Sequence, residues 1–417
     1  MNFIMSKKWL IAVTGTFTHL LLGTVYAWSF FQTPITEFTG WNNAQAAWAF
    51  SLSIFMLGVT AAWAGNKMSV YGPRKLAMIG GALYALGYLI SGFALANQSL
   101  FLLYLGFGII GGIGLGLAYV TPVATVSAWF TQKQGLATGM VVMGFGFGAL
   151  VMSKFLAPVF LRISEGNLST TFYYVGTVMI ILIPILASFL QLPGTDGLQN
   201  VKEDKVSIAK YIKAKPFITI WLIFMINIVA GMIFISFQSP LLQDMLKVRM
   251  PDGTDFSNPE VIASLAAAGA TLIAVSSIFN GLGRFVWGSI SDKIGRMPTF
   301  RILLALQTVI FGLLIFVRQP IVFSVLVCVV LLCYGGGFGV LPSLTKDMYG
   351  SKLMSSLYGA LLTAWSVGGI IGPQIVAFMK DNYADKAGLY AFIVGGSLLV
   401  IGILISFAYK QNEQFKS

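Results

Sequence analysis

The chain has 417 residues, 57% of them hydrophobic and only 10% charged, with a mean hydropathy of +0.84. Soluble domains carry about 25% charged residues, so most of this surface faces something other than water. The net charge of +12 would suit nucleic acid, but the basic residues sit in short clusters between apolar runs, the distribution that membrane topology imposes, and nucleic acid is excluded as a partner.

A helix needs about 20 apolar residues to cross the hydrocarbon core. Lys7 and Lys8 precede the first such run, 9–32, which has no convincing cleavage site and is too long for a signal-peptide core. Further runs follow at 43–65, 76–96, 99–128, 135–161, 168–192, 216–243, 261–290, 299–317, 320–345, 353–379 and 387–409, making twelve predicted spans. The 46 glycines fall largely inside them, as expected where close packing holds helices together in lipid. Cys328 and Cys333 share one run; a single helix cannot bridge them, so neither a disulfide framework nor a metal site is expected.

Orientation follows from the basic residues. With the N-terminus inside, 18 of the 26 fall in cytoplasmic segments, while Arg162, Lys247, Arg249, Arg318, Lys380 and Lys386 fall outside. The expected arrangement therefore has both termini cytoplasmic, in a multi-pass inner (cytoplasmic) membrane protein. The polar stretch 193–215 separates an N-terminal six-helix unit, 1–192, from a C-terminal one, 216–417. Its second half, Ser207–Lys215, reads as a short basic helix on anionic headgroups, or as a solvated linker.

The halves repeat. Gly65, Ser69 and Gly72 recur as Gly288, Asp292 and Gly295, 223 positions later; Pro122 and Gly139 recur as Pro342 and Gly359, 220 positions later. Parallel six-helix repeats are a transporter architecture with the binding site at their interface near the midplane. The run Gly288-Ser-Ile-Ser-Asp292-Lys293-Ile-Gly295-Arg296 and its partner Gly65–Lys75, with Arg74 at the basic end, resemble the loop motif of the major facilitator superfamily. The first copy has Ser69 where the family carries aspartate. Gly23-Thr-Val-Tyr26-Ala-Trp28-Ser29, Trp129-Phe130, Gly135-Leu136-Ala137-Thr-Gly139, Asn280-Gly-Leu-Gly283-Arg284 and Tyr358-Gly359 resemble the oxalate/formate-exchanger and monocarboxylate-transporter branch. The resemblance implies an all-α membrane protein with twelve transmembrane helices in two six-helix bundles related by pseudo-twofold symmetry.

All 14 acidic residues fall in loops or at helix ends, leaving His19, Lys154 and Arg284 as the ionisable side chains inside the spans. A buried site that is only positive favours an anion, since a charge in hydrocarbon needs a partner. At 1.5 Å per residue, Arg284 lies about 12 Å in from Asp292 and His19 about 16 Å in from Lys8, both near mid-membrane, whereas Lys154 reaches the outer boundary and can snorkel. The Arg284 guanidinium fits a carboxylate, and in the resembled branch an arginine here binds substrate; the structural alternative is a bond to backbone carbonyls. His19, the single histidine, is a candidate for proton coupling or a packing residue. The same depth arithmetic brings Tyr119, Phe145, Tyr334 and Trp365 to the layer of Arg284, with Phe338 one turn beyond Tyr334 and Asn280 one turn before Arg284 on the same face.

Members of the branch that exchange oxalate carry a second cation on helix 11, where this chain has Trp365. One cation facing an aromatic suits a monocarboxylate of the formate, acetate, lactate or pyruvate class. Proton-coupled carriers often place aspartate where Asn280 stands. The expectation is a monomeric secondary transporter of a small organic anion, working by exchange or proton coupling, without cofactor or enzymatic activity, its partners being the carboxylate and the lipid bilayer. The alternatives are a dicarboxylate antiporter of the oxalate/formate type and an anion-binding membrane sensor. A cation or drug exporter would want a deep acidic residue in the N-terminal half, and the sequence has none there.

Overall fold

The structure is a computed structural model that describes residues 2–130, 134–193, 208–383 and 386–409. Within them, twelve helices are long and apolar enough to cross a membrane. They are α1 (Lys7–Thr39), α2 (Asn43–Met68), α3 (Pro73–Ala96), α4 (Leu100–Trp129), α5 (Ala137–Ile163) and α6 (Leu168–Ala187), then α7 (Lys215–Lys247), α8 (Pro259–Ile294), α9 (Arg296–Leu314), α10 (Pro320–Gly350), α11 (Ser356–Tyr383) and α12 (Ala387–Phe407). In lipid every backbone group must be satisfied within the protein, which leaves helices as the natural spanning element for such runs. An even number of crossings brings both chain ends to one face, called here the near face; the opposite one is the far face.

The helix ends are written locally. Asn42 and Gln45 form a reciprocal capping box on α2, and Asn167, Asn258 and Gln319 cap α6, α8 and α10. Gly72 (φ 73°) and Gly295 (φ 92°) make the equivalent tight turns α2–α3 and α8–α9, so the repeated loop motif needs glycine for the same reason in each half. In the second copy Arg296 pairs with Asp292 at 2.6 Å and with Asp347 of α10 at 3.0 Å, tying three helix ends together. The first copy keeps the turn, with Gly65 on α2 and Arg74 exposed in the first turn of α3; the Ser69 side chain lies outside the described residues.

The expected spans hold, with one clear difference. The run 9–32 continues as helix to Thr39, because a 3-10 segment at Gly23–Ala27 redirects α1 without ending it. Two π-helical stretches, Tyr104–Gly111 in α4 and Met152–Leu156 in α5, are further departures from regular helix. Of the linker helix expected over Ser207–Lys215, Ser207 lies outside the described residues. One turn, Ala209–Ile212, is helical, with Tyr211 5.8 Å from Tyr349.

The bundles meet along α5–α8 and α2–α11. A Cβ on Gly146 of α5 would stand 2.5 Å from Gly281 Cα of α8, and one on Gly58 of α2 would stand 2.6 Å from the Leu362 carbonyl of α11. Not every close glycine contact lies between the bundles. Gly108, Gly112 and Gly116 of α4 press on α2, and Gly114 on α3, all within the first bundle. Lys154, near the far end of α5, donates to Thr271 of α8 at 2.8 Å. At the far face the Asp381 carboxylate of α11 accepts from Asn43 N (3.1 Å), Asn43 Nδ2 (2.9 Å) and Ala44 N (3.0 Å), capping α2 of the other bundle.

Candidate functional site

Arg284 is carried on α8, whose backbone is clamped against α10. Gly335 and Gly339 of α10 sit against the carbonyls of Asn280 and Arg284, and Gly283 against that of Leu332, with no room for a Cβ at any of the three. Packing this close fixes the backbone of residue 284 and sends its side chain across the bundle interface to α5. There Nη1 donates to the Val142 carbonyl at 3.2 Å. The guanidinium lies over the Phe338 ring at 4.7 Å and the Phe145 ring at 5.5 Å, one from each bundle, where cation–π attraction offsets part of the cost of burial.

That leaves Nε and Nη2 without a well-formed hydrogen bond, although the Tyr119 hydroxyl lies close to the guanidinium, in a side chain only 1% exposed. No carboxylate among the described residues pairs with Arg284. Nε–H and the adjacent Nη2–H lie parallel on one edge of the guanidinium plane, the fork that fits the two oxygens of a carboxylate.

An aromatic chamber closes round this edge. Trp365 of α11 is its hub, with ring centroids 4.7 Å from Phe338, 5.1 Å from Tyr119, 5.6 Å from Phe145 and 6.1 Å from Tyr26. Tyr26 of α1 and Tyr334 of α10 join their hydroxyls across the bundle interface. The hydroxyls of Tyr119 and Tyr358 and the Trp365 indole Nε1 are buried without a well-formed hydrogen bond. Every one of these side chains is at most 2% exposed, so the chamber is occluded from both faces. The unpartnered groups are mostly donors, and each costs about 1–3 kcal/mol while unpaired. What these groups lack is acceptors.

Of the residues singled out in the sequence, Arg284, Tyr119, Phe145, Tyr334, Phe338 and Trp365 come together. Asn280 lies one turn along α8, 2% exposed, with its Oδ1 unpartnered. His19 is fully buried; its Nε2 donates to the Tyr119 carbonyl at 2.8 Å and its ring stacks on Tyr119 at 4.8 Å. Since a carbonyl only accepts, Nε2 carries the proton. Tyr26 and Tyr358 were not expected in the chamber. Both stood only in the motifs that carry the family resemblance; at 1.5 Å per residue Tyr26 lies about 27 Å in from Lys8 and Tyr358 about 9 Å in from Lys352, away from the layer of Arg284.

Twelve spans gathered round a buried cation, aromatic rings and unpartnered hydrogen-bonding groups resemble the construction of a membrane transporter. The family model for the Major Facilitator Superfamily matches residues 12–373, and the chain belongs to that family. Among its relatives is the oxalate:formate antiporter of Oxalobacter formigenes, 25% identical over 91% of this chain and 87% of that one. Monocarboxylate transporter 11 of Homo sapiens is 26% identical over 87% of this chain and 74% of its own. The apicoplast pyruvate carrier 1 of Toxoplasma gondii is 23% identical over 83% and 78%. In fold, the chain is similar to a bacterial homolog of the human lysosomal transporter Spinster (TM-score 0.66, 16% identity, 96% of this chain and 95% of that one). It is also similar to the nucleoside transporter NupG (TM-score 0.67, 12% identity, 96% and 99%).

Proposed function

We propose that the protein carries a small monocarboxylate, of the formate, acetate, lactate or pyruvate class, across the cytoplasmic membrane by alternating access. The observation carrying this reading is the unpartnered Nε–Nη2 edge of Arg284, buried among aromatic rings with no acidic neighbour. A carboxylate would take that edge and the Tyr119 and Tyr358 hydroxyls, while Trp365 and Phe338 would enclose a short apolar body. The chamber supplies one cation, which matches a monoanion. Holding arginine near the midplane costs at least about 2.5–3.5 kcal/mol, and a bound anion offsets it, so the loaded carrier reorients more readily than the empty one and exchange is favoured. Both termini are assigned to the cytoplasm from the excess of basic residues on the near face.

The oxalate:formate relative favours a second reading, a dicarboxylate antiporter. Uptake of a labelled panel of carboxylates into proteoliposomes, with and without a pH gradient, separates the readings. Competition by lactate or formate but not oxalate supports the monocarboxylate carrier; stimulation by internal oxalate sinks it in favour of the dicarboxylate antiporter. His19 gives the proton-coupled version its own test. Uptake driven by an inward proton gradient in wild type, and not in His19→Gln, would assign coupling there. Gradient-independent exchange in both leaves His19 as the residue that positions Tyr119.

A further inference from the structure

Five basic side chains meet at the far end of the second bundle. Lys247 and Arg249 close α7, Arg318 lies in the α9–α10 turn, and Lys380 and Lys386 flank the α11–α12 turn; together they line a cavity of about 1160 Å³. Among the described residues Asp244 is the one carboxylate on its wall, and Lys380 pairs with it. The floor is apolar, made by Leu241, Leu314, Phe323 and Phe392. The far-face segments carry six basic residues in all, and only Arg162 is absent from this cavity. Side chains from three separate chain segments, on the face where basic residues are scarce, therefore converge on one site.

The rim shows what the site faces. Val248, beside Arg249, is 87% exposed, and Phe316, two residues before Arg318, is 81% exposed. Bare hydrophobic side chains alternating with cations suit a surface seated in lipid headgroups. We propose that the cavity holds the headgroup of an anionic phospholipid from the far leaflet. Its phosphate sits among Lys247, Arg249, Arg318 and Lys386, and its glycerol and upper acyl segments lie on the apolar floor. Such a lipid bridges α7, the α9–α10 turn and the start of α12.

The test uses the full chain in nanodiscs of phosphatidylcholine with or without phosphatidylglycerol, reading retained lipid by native mass spectrometry and stability by melting temperature. Wild type is expected to retain phosphatidylglycerol selectively and to melt higher with it. In Arg249→Gln/Arg318→Gln/Lys386→Gln the preference should fall by on the order of a hundredfold, with melting in pure phosphatidylcholine unchanged. If that variant melts lower there, the exposed Arg249→Gln alone gives the same comparison, with a loss of roughly fivefold. Equal retention by wild type and variants overturns the proposal. So does equal stabilisation of wild type by millimolar inorganic phosphate in phosphatidylcholine, which would mark a site for free anions.

Discussion

Arg284 and Trp365 together decide what fits the chamber. Arg284→Lys keeps the charge but replaces a planar fork by a point donor, and is expected to retain exchange with substrate affinity lowered at least roughly tenfold. Replacing Trp365 by lysine brings a second cation toward the Arg284 edge while removing the ring at the hub of four aromatic contacts. Trp365→Lys should lose monocarboxylate exchange and gain competition by oxalate, read in the same proteoliposomes; continued preference for monocarboxylates would disconnect Trp365 from charge selection. The cation at 284 was legible in the sequence because an arginine without an acidic partner inside an apolar run stands out. The partners of its unbonded edge were only half legible. Tyr119 and Trp365 follow from helical rise, whereas Tyr26 and Tyr358 depend on the 3-10 turn in α1 and on the turn at Gly350 (φ 74°) ahead of α11.

Among the elements, α5 and α8 carry one of the two close contacts between bundles. Gly146 lies against Gly281 at a separation that admits no side chain. Gly146→Leu is expected to abolish exchange by holding the bundles apart and to lower the melting temperature, overpacking of this kind costing about 1–3 kcal/mol; wild-type exchange by this variant would show that the bundles never close as tightly as here. The spans themselves could be read directly, since hydrophobic length is what the bilayer selects. Less legible was which helices each glycine run would press against. Composition marks a close contact but not its partner, and the α4 run turned out to serve α2 and α3 of its own bundle.

At the scale of the whole molecule, the occluded chamber and the far-face cap describe one state of a cycle. Asp381 holds α2 through three hydrogen bonds across the bundle interface. Its loss is comparable with losing a helix N-cap, about 0.5–2 kcal/mol. Asp381→Ala should therefore speed thiol labelling, from the far side, of a cysteine placed at Ser29 by roughly two- to thirtyfold; unaltered labelling would remove the cap from the gating mechanism. All of this rests on a carboxylate completing Arg284. Counterflow puts that to the most direct test: proteoliposomes loaded with unlabelled lactate or formate are diluted into trace labelled anion, for wild type and Arg284→Ala. Wild type should accumulate label transiently, while the folded alanine variant falls at least roughly a hundredfold, as when one partner of a buried charge-assisted pair is removed. Undiminished counterflow by the variant would contradict the account.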